Sequence, residues 1–386
     1  MKTITSTEDL RRFCEAAAQY PYVTVDTEFL RERTYFSKLC LIQIAYSGDG
    51  KTDAVLVDPL ASDLSLAPLY ELFRNENVVK VFHAARQDLE IFWVDANVFP
   101  KPLFDTQVAA MVCGFGEQVG YETLVRKICK QGLDKTSRFT DWSRRPLSDA
   151  QKTYALADVT HLRRIYEHLK EQLEKSGRSR WVTEELEVLT DPGTYSVEPR
   201  DAWRRVKTRT SSGRFLAIVR ELAAFREDYA QANNVPRNRV FKDDALVEIA
   251  STKPKTASDL SGSRLLLREA RKGAIAEGIL KAVAKGVNCP ADELPKPPKL
   301  RGDNAQVNPA LADLLRVLLK AKTETAGVAA KLIAPSADLD AIASGERDVP
   351  ALRGWRLEVF GQDALRLCDG EIALAAKGSQ VKVVEL

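Results

Sequence analysis

Histidine and methionine are scarce in this chain of 386 residues, with three and two copies. His83, His161 and His168 do not fall at the spacings of a zinc site, so zinc chemistry built on imidazole is excluded. The six cysteines, Cys14, Cys40, Cys113, Cys129, Cys289 and Cys368, contain no Cys-x-x-Cys pair. They fit reduced thiols better than a disulfide framework. No apolar run approaches the ~20 residues that a membrane-spanning helix requires. The opening Met1-Lys2-Thr3-Ile4-Thr5-Ser6 lacks a charged-then-apolar leader, so a cytoplasmic address with no membrane partner is expected. A phosphate-binding loop is missing too. Gly50-Lys51-Thr52 has the tail of one, but Ala45 occupies the earlier glycine position and the segment joins two predicted strands. No nucleotide cofactor is expected. Excess charge is also lacking: 57 basic and 54 acidic side chains leave +3, too little to mark a nucleic-acid partner by itself.

What stands out is a set of acids where apolar residues belong. Tyr22-Val23-Thr24-Val25-Asp26-Thr27-Glu28-Phe29 reads as a strand. Its period of two puts Asp26 and Glu28 on one face. Two carboxylates so placed repel unless a cation lies between them, and hard divalent cations take oxygen ligands. Tyr154, Asp158, Leu162, Ile165 and Leu169 follow the spacing of an amphipathic helix, which sets Asp158 on the inward face beside Tyr154. Asp88 follows the apolar run Val78-Val79-Lys80-Val81-Phe82 and opens a predicted helix, at the strand end where α/β sites collect.

Each element has an ordinary reading on its own. Asp-Thr-Glu describes many solvated strands, Asp88 suits a helix cap, Tyr154 suits a core, and Asp158 has Arg163 and Arg164 within reach of an ion pair. The joint order and spacing outweigh these.

At these residues the chain resembles a known superfamily. Val25-Asp26-Thr27-Glu28-Phe29, Val81 through Glu90 and Tyr154-Ala155-Leu156-Ala157-Asp158-Val159 are similar to the three exonuclease motifs of the DEDD nucleases, in their tyrosine branch. Lys38 through Ile44, Phe104-Asp105-Thr106-Gln107 and Trp142-Ser143-Arg144-Arg145-Pro146-Leu147 narrow the resemblance to the bacterial ribonuclease D family. Farther on, Leu222-Ala223-Ala224-Phe225-Arg226 and Val235 through Asp243 resemble an HRDC domain. Ala351-Leu352-Arg353-Gly354-Trp355-Arg356 looks like a diverged second copy.

The predicted architecture is α/β followed by two all-α domains. Strands are expected near 22–29, 38–46, 53–57 and 78–82, with helices near 66–75, 85–95, 106–113, 120–130 and 147–174. Close strands followed by alternation with helices predict a mixed sheet, and the resemblance implies its ribonuclease H-like form. Boundaries are expected at 1–190 for the nuclease, 205–288 for the HRDC domain and 305–386 for a second HRDC-like helical domain.

The resemblance implies a two-metal phosphodiesterase working from a free 3′ end and releasing nucleoside 5′-monophosphates. Asp26, Glu28, Asp88 and Asp158 would hold two Mg²⁺ or Mn²⁺ ions, with Tyr154 orienting the attacking water. Basic and aromatic residues before the catalytic helix suit a single strand. His83, Gln43, Arg138, Trp142, Arg144 and Arg145 are candidate substrate contacts, although Trp142 equally suits a core. Arg200 to Arg214, with six basic residues against one acid, is a second candidate track. The reading is a monomeric 3′→5′ exoribonuclease acting on tRNA precursors and other structured RNAs with single-stranded 3′ ends. A DNA 3′ exonuclease and a non-catalytic RNA-binding scaffold remain open alternatives.

Overall fold

The computed structural model describes residues 2–48, 53–134, 137, 140–210, 212–296 and 308–386. Arg138 and the Gly50-Lys51-Thr52 segment lie outside the described residues. Two compact units result: Met1–Glu28, Leu39–Thr194 and Arg301–Leu386 form one, Phe29–Lys38 and Tyr195–Leu300 the other. Among the described residues no helix is long and apolar enough to cross a membrane.

The first unit begins β1 (Thr3–Ile4), α1 (Thr7–Ala17), β2 (Tyr22–Leu30), β3 (Lys38–Tyr46), β4 (Ala54–Val57), α2 (Ala67–Arg74), β5 (Val79–Phe82), α3 (Arg86–Ala96), β6 (Leu103–Asp105) and α4 (Thr106–Val112). It continues with α5 (Tyr121–Leu124), which runs into a π-turn, then α6 (Asp149–Ser176) and α7 (Ser179–Leu189). The sheet order is β1-β4-β3-β2-β5-β6. β5 runs parallel to both β2 and β6, while β4 is antiparallel to β3, so the sheet is mixed as expected. Strands β1 and β6 and helices α1 and α7 add to the predicted elements. Two or three residues are too few to display a period.

Helix α6 is long because both ends are closed chemically. Ser148 and Gln151 form a reciprocal capping box, and Gly177 adopts the left-handed conformation at the other end. Its apolar stripe, including Leu162, Ile165 and Leu169, is buried.

The same unit ends in α-helical turns and a hairpin. The second unit holds α8 (Gly213–Ala232), α9 (Arg237–Val240), α10 (Asp243–Thr252), α11 (Ala257–Ser261) and α12 (Gly273–Val287), and the first unit resumes with α13 (Pro309–Ala326), α14 (Ala330–Ile333), α15 (Ser336–Ala343), α16 (Gly354–Arg356), α17 (Gln362–Cys368), β7 (Ile372–Lys377) and β8 (Gln380–Glu385). The antiparallel β7–β8 pair departs from the helical patterning expected through residue 380. Cross-strand pairing to Val381, Val383 and Val384 overrides the helix preference of the alanines in β7.

The segment from Pro309 onward is fastened to α7 inside the first unit. Trp355 is fully buried and stacks on Trp181, with ring centroids 4.7 Å apart. Its indole nitrogen donates to Glu185 at 2.9 Å, and Arg356 donates to the same carboxylate at 2.6 Å. In the second unit α12 lies hard against α8. A side chain at Gly286 would meet the Ile218 backbone at 2.5 Å, which explains glycine there.

Candidate active site

Strand β2 and helix α6 meet through a local contact that sets the site's floor. Buried Thr24 donates its hydroxyl to the Val159 carbonyl at 2.8 Å, just before Asp26 on the strand and just after Asp158 on the helix. Asp26 and Glu28 are half-buried on the same strand face. Asp158 is only 8% exposed, and Tyr154 precedes it by one turn. Tyr121, at the start of α5, donates its phenol to the Asp158 carbonyl at 2.5 Å and so holds that turn of α6.

Asp88 arrives from the first turn of α3 and is 6% exposed. Its carboxylate accepts the hydroxyl of Thr27, the residue between the two strand acids. The turn feeding α3 is shaped by Asp105, a buried carboxylate at the end of β6. Asp105 accepts the amides of Ala84 at 3.1 Å and Ala85 at 2.8 Å, and caps α4 through Gln107 at 2.7 Å. Ala84 takes a positive φ of 58° in that turn.

The acids act on one another. Burial, then the charge of Asp158, holds the Asp26 carboxyl well above the ordinary carboxylate range. Burial, then the charge of Asp26, raises Asp88, and the Thr27 hydroxyl opposes this only in part. Tyr121 is raised by burial and by the same two acids, Asp158 and Asp26. Arg163, an ordinary partner for Asp158 in sequence terms, instead binds Asp53 at 2.7 Å and the Tyr46 carbonyl.

Asp26, His83, Tyr121, Leu133, Tyr154 and Asp158 line a cleft of about 260 Å³. Glu28 and Asp88 are not among its lining residues. His83 is half-buried, with Nδ1 3.0 Å from the Thr106 hydroxyl and its ring against Tyr121. Burial lowers its pKa, with Asp105 pulling the other way.

Two candidate substrate contacts, Gln43 and Trp142, are buried, and a third, Arg145, is exposed but engaged in an ion pair. Gln43 is fully buried in β3, opposite Leu56 of β4, and offers no surface to a ligand. Trp142 is 2% exposed and lies against Tyr154. Arg145 directs its guanidinium to both oxygens of Asp58 at 2.6 Å and to the carbonyls of Cys40 and Trp142. Arg144 is exposed. Conversely, Thr24, Thr27, Asp105 and Tyr121 shape the site without having been expected to. Thr27 and Asp105 lay inside runs that carried a signal, Val25 through Phe29 and Phe104 through Gln107, while Tyr121 lay in none.

A strand pair of acids facing an inward Tyr-x-x-x-Asp helix is the arrangement of a 3′→5′ exonuclease domain. Residues 1–174 match the family model described as 3′-5′ exonuclease, and residues 215–283 match that of the HRDC domain. The chain is 67% identical to ribonuclease D of Jannaschia sp. (strain CCS1), covering 100% of this chain and 99% of that one. It is 50% identical to ribonuclease D of Granulibacter bethesdensis, covering 99% and 96%. The crystal structure of Escherichia coli RNase D, an exoribonuclease involved in structured RNA processing, superimposes with a TM-score of 0.84 at 29% identity over 96% of this chain and 98% of that one. The chain belongs to the ribonuclease D family and is a 3′→5′ exoribonuclease.

Proposed function

We propose that Asp26, Glu28, Asp88 and Asp158 hold two divalent cations, Mg²⁺ or Mn²⁺, and that Tyr154 orients the water that attacks the terminal phosphodiester. The observation that carries this reading is the mutual repulsion of Asp26, Asp88 and Asp158, each raised or raising another in a largely buried setting. Buried carboxylates with acids for neighbours are costly unless a cation joins them. The donors are all oxygen, which suits magnesium or manganese better than zinc. Among the described residues no group of three or more His, Cys, Asp or Glu side chains is already gathered closely enough to hold a metal ion. When bound, a cation pair neutralises charge on the scissile phosphate and activates water at neutral pH.

The chain's own groups do the rest. Tyr154 presents a phenol to the cleft, and Trp142 holds its ring. Tyr121 keeps the Asp158 turn in place through the backbone. His83 stays neutral and serves as a hydrogen-bonding wall of the cleft. A 3′-terminal nucleotide is the part of the substrate these residues enclose, with nucleoside 5′-monophosphate leaving. The remainder of the reading is a monomeric cytoplasmic enzyme that trims tRNA precursors and other structured RNAs with single-stranded 3′ ends. Its domains are 1–190, 205–288 and 305–386 along the sequence. Digestion of end-labelled RNA and DNA strands with Mg²⁺, Mn²⁺ or EDTA tests it. RNA should be shortened stepwise from the 3′ end only when metal is present, and activity that survives EDTA would overturn the metal assignment.

A further inference from the structure

Within the first unit, the chain around α5 leaves the cleft and returns to it. Gly120, Tyr121, Glu122 and Thr123 line the cleft, and so does Leu133. The stretch between, Leu124 to Gly132, carries Arg126, Lys127 and Lys130 and no acidic residue. All three cations are exposed. The π-turn Val125–Cys129 presents the first two, burying Val125 and Cys129 at its ends, and Lys130 follows with a positive φ of 56°.

Helix α6 adds a fourth cation. The Cys129 thiol donates to the His161 carbonyl at 3.8 Å, which seats the π-turn on the helix. Arg164 lies about one turn farther along, and its charge reaches both residues. Burial lowers the His161 pKa and Arg164 lowers it further, while burial raises the Cys129 thiol and Arg164 opposes that. Lys127 sits over the Phe115 ring, 5.7 Å from its centroid, and that ring meets His168 of α6 edge-on at 6.3 Å. Turn and helix thus bring four cations to one seam, and Leu162 of α6 lines the cleft beside it.

These four differ from their neighbours in pairing. Lys152, Arg163, Lys170 and Lys175 of α6 each have a carboxylate partner. Among the described residues, Arg126, Lys127, Lys130 and Arg164 have none. The acids close by are engaged elsewhere: Glu117 with Lys331, Glu171 with Lys175, and Glu167 with the Tyr22 phenol. The cleft, at about 260 Å³, is smaller than the ~300–1,000 Å³ of pockets that enclose a drug-sized ligand. It takes little beyond a terminal nucleotide, so the next phosphates of a bound strand lie outside it. Cations beside aromatic surface are what a single strand requires there.

We propose that Arg126, Lys127, Lys130 and Arg164 form a phosphate track that receives the RNA strand immediately upstream of its 3′-terminal nucleotide. The track rests on the reading that the cleft holds that nucleotide, and it makes the nuclease unit itself sensitive to substrate length.

The test uses the full chain and 5′-labelled RNAs of two and ten nucleotides, with kcat/KM measured across a salt series. One variant replaces all four cations by glutamine, which keeps side-chain length and polarity. On the longer RNA it should flatten the plot of log kcat/KM against log salt by about 2.8, at ~0.7 per phosphate contact. Between 50 and 200 mM salt the parent should therefore lose roughly 50-fold more of its rate constant than the variant. The loss should be confined to the longer RNA, because a dinucleotide has no upstream phosphate. Arg164→Gln alone should remove about one contact's share of the slope, and Arg164→Lys should restore it. An unchanged slope on the longer RNA overturns the track, as does an equal loss on both lengths. Asp26→Asn is measured beside them: if it is inactive the cleft reading stands whatever the track does, and if it is active that reading falls and the track with it.

Discussion

Trp142 lies against Tyr154, with ring centroids 6.1 Å apart and planes inclined by 34°. The tryptophan is buried, a position in which it supports the tyrosine ring. Tyr154→Phe should lower turnover strongly while leaving metal affinity near wild type, because it removes only the phenolic oxygen to which the proposed mechanism gives the orientation of water. Trp142→Phe should lower kcat equally on short and long RNA with little change in KM. A KM effect that grows with substrate length would instead mark Trp142 as a substrate contact. Trp142→Ala should also cost about 3–5 kcal/mol of stability through the cavity it leaves, read by urea unfolding.

Asp26→Asn should reduce hydrolysis by orders of magnitude, since metal-assisted catalysis supplies that scale of rate. The same change removes the charge that faces Asp158 and Asp88. The metal-free variant should therefore melt roughly 2 °C or more above the metal-free parent, and lose the rise in Tm that Mg²⁺ or Mn²⁺ gives the parent. Differential scanning calorimetry with and without the ion measures both. An unchanged cation-induced rise would remove Asp26 from the ligand set.

The basic stretch from Arg200 to Arg214 divides in two by its contacts. Arg200 meets Glu221, Arg204 meets Asp201, and Arg214 donates to the carbonyls of Val287 and Cys289. Arg205, Lys207 and Arg209 are exposed and alternate with buried Val206 and half-buried Thr208. If each of the three holds one RNA phosphate, replacing all by alanine should flatten the plot of log K against log salt by about 2, at ~0.7 per contact on a single strand. Arg204→Ala should leave the slope alone. Binding of a tRNA precursor across a salt series decides between them.

Lys80 gives stability a pH signature. It is fully buried in β5, and its ammonium donates to the carbonyls of Asn75, at 2.5 Å, and Lys101. Burial pushes its pKa down to about 8 from an ordinary 10.5. Between those values the unfolded chain binds the additional proton, so this group's contribution to stability rises with pH across that window. The stability difference between the parent and Lys80→Met should grow in the parent's favour from pH 8 to pH 10 in denaturant titrations. A difference that is flat or shrinks over this range would contradict the lowered pKa.

Trp355→Ala should destabilise the first unit by about 3–5 kcal/mol, because it empties a fully buried site against Trp181. Glu185→Gln should cost less, since the indole N–H still finds an oxygen while Arg356 loses a charge partner. Thermal melts of the two variants give the order.

The acidic set was legible in the sequence because its signals are local. A period of two aligns Asp26 with Glu28, a spacing of four aligns Tyr154 with Asp158, and neither depends on a distant partner. The resemblance to ribonuclease D was legible for the same reason, being carried by short contiguous motifs. Tertiary structure decided what depends on remote contacts. Asp105 reaches back 21 residues to shape the turn before Asp88, and Tyr121 reaches forward 37 to hold Asp158. Gln43, Trp142 and Arg145 have side chains that suit RNA as well as packing, and only the tertiary structure buries Gln43 and Trp142 and turns the exposed Arg145 onto Asp58. The hairpin β7–β8 formed against the helix preference of its alanines because a strand of valines lies across a two-residue turn. The loop that carries Tyr35 shows the limit most plainly. Nothing in Thr34-Tyr35-Phe36-Ser37 names a partner, because the free energy that fixes it comes from Glu227, Gln231 and Asn234, about 200 residues away.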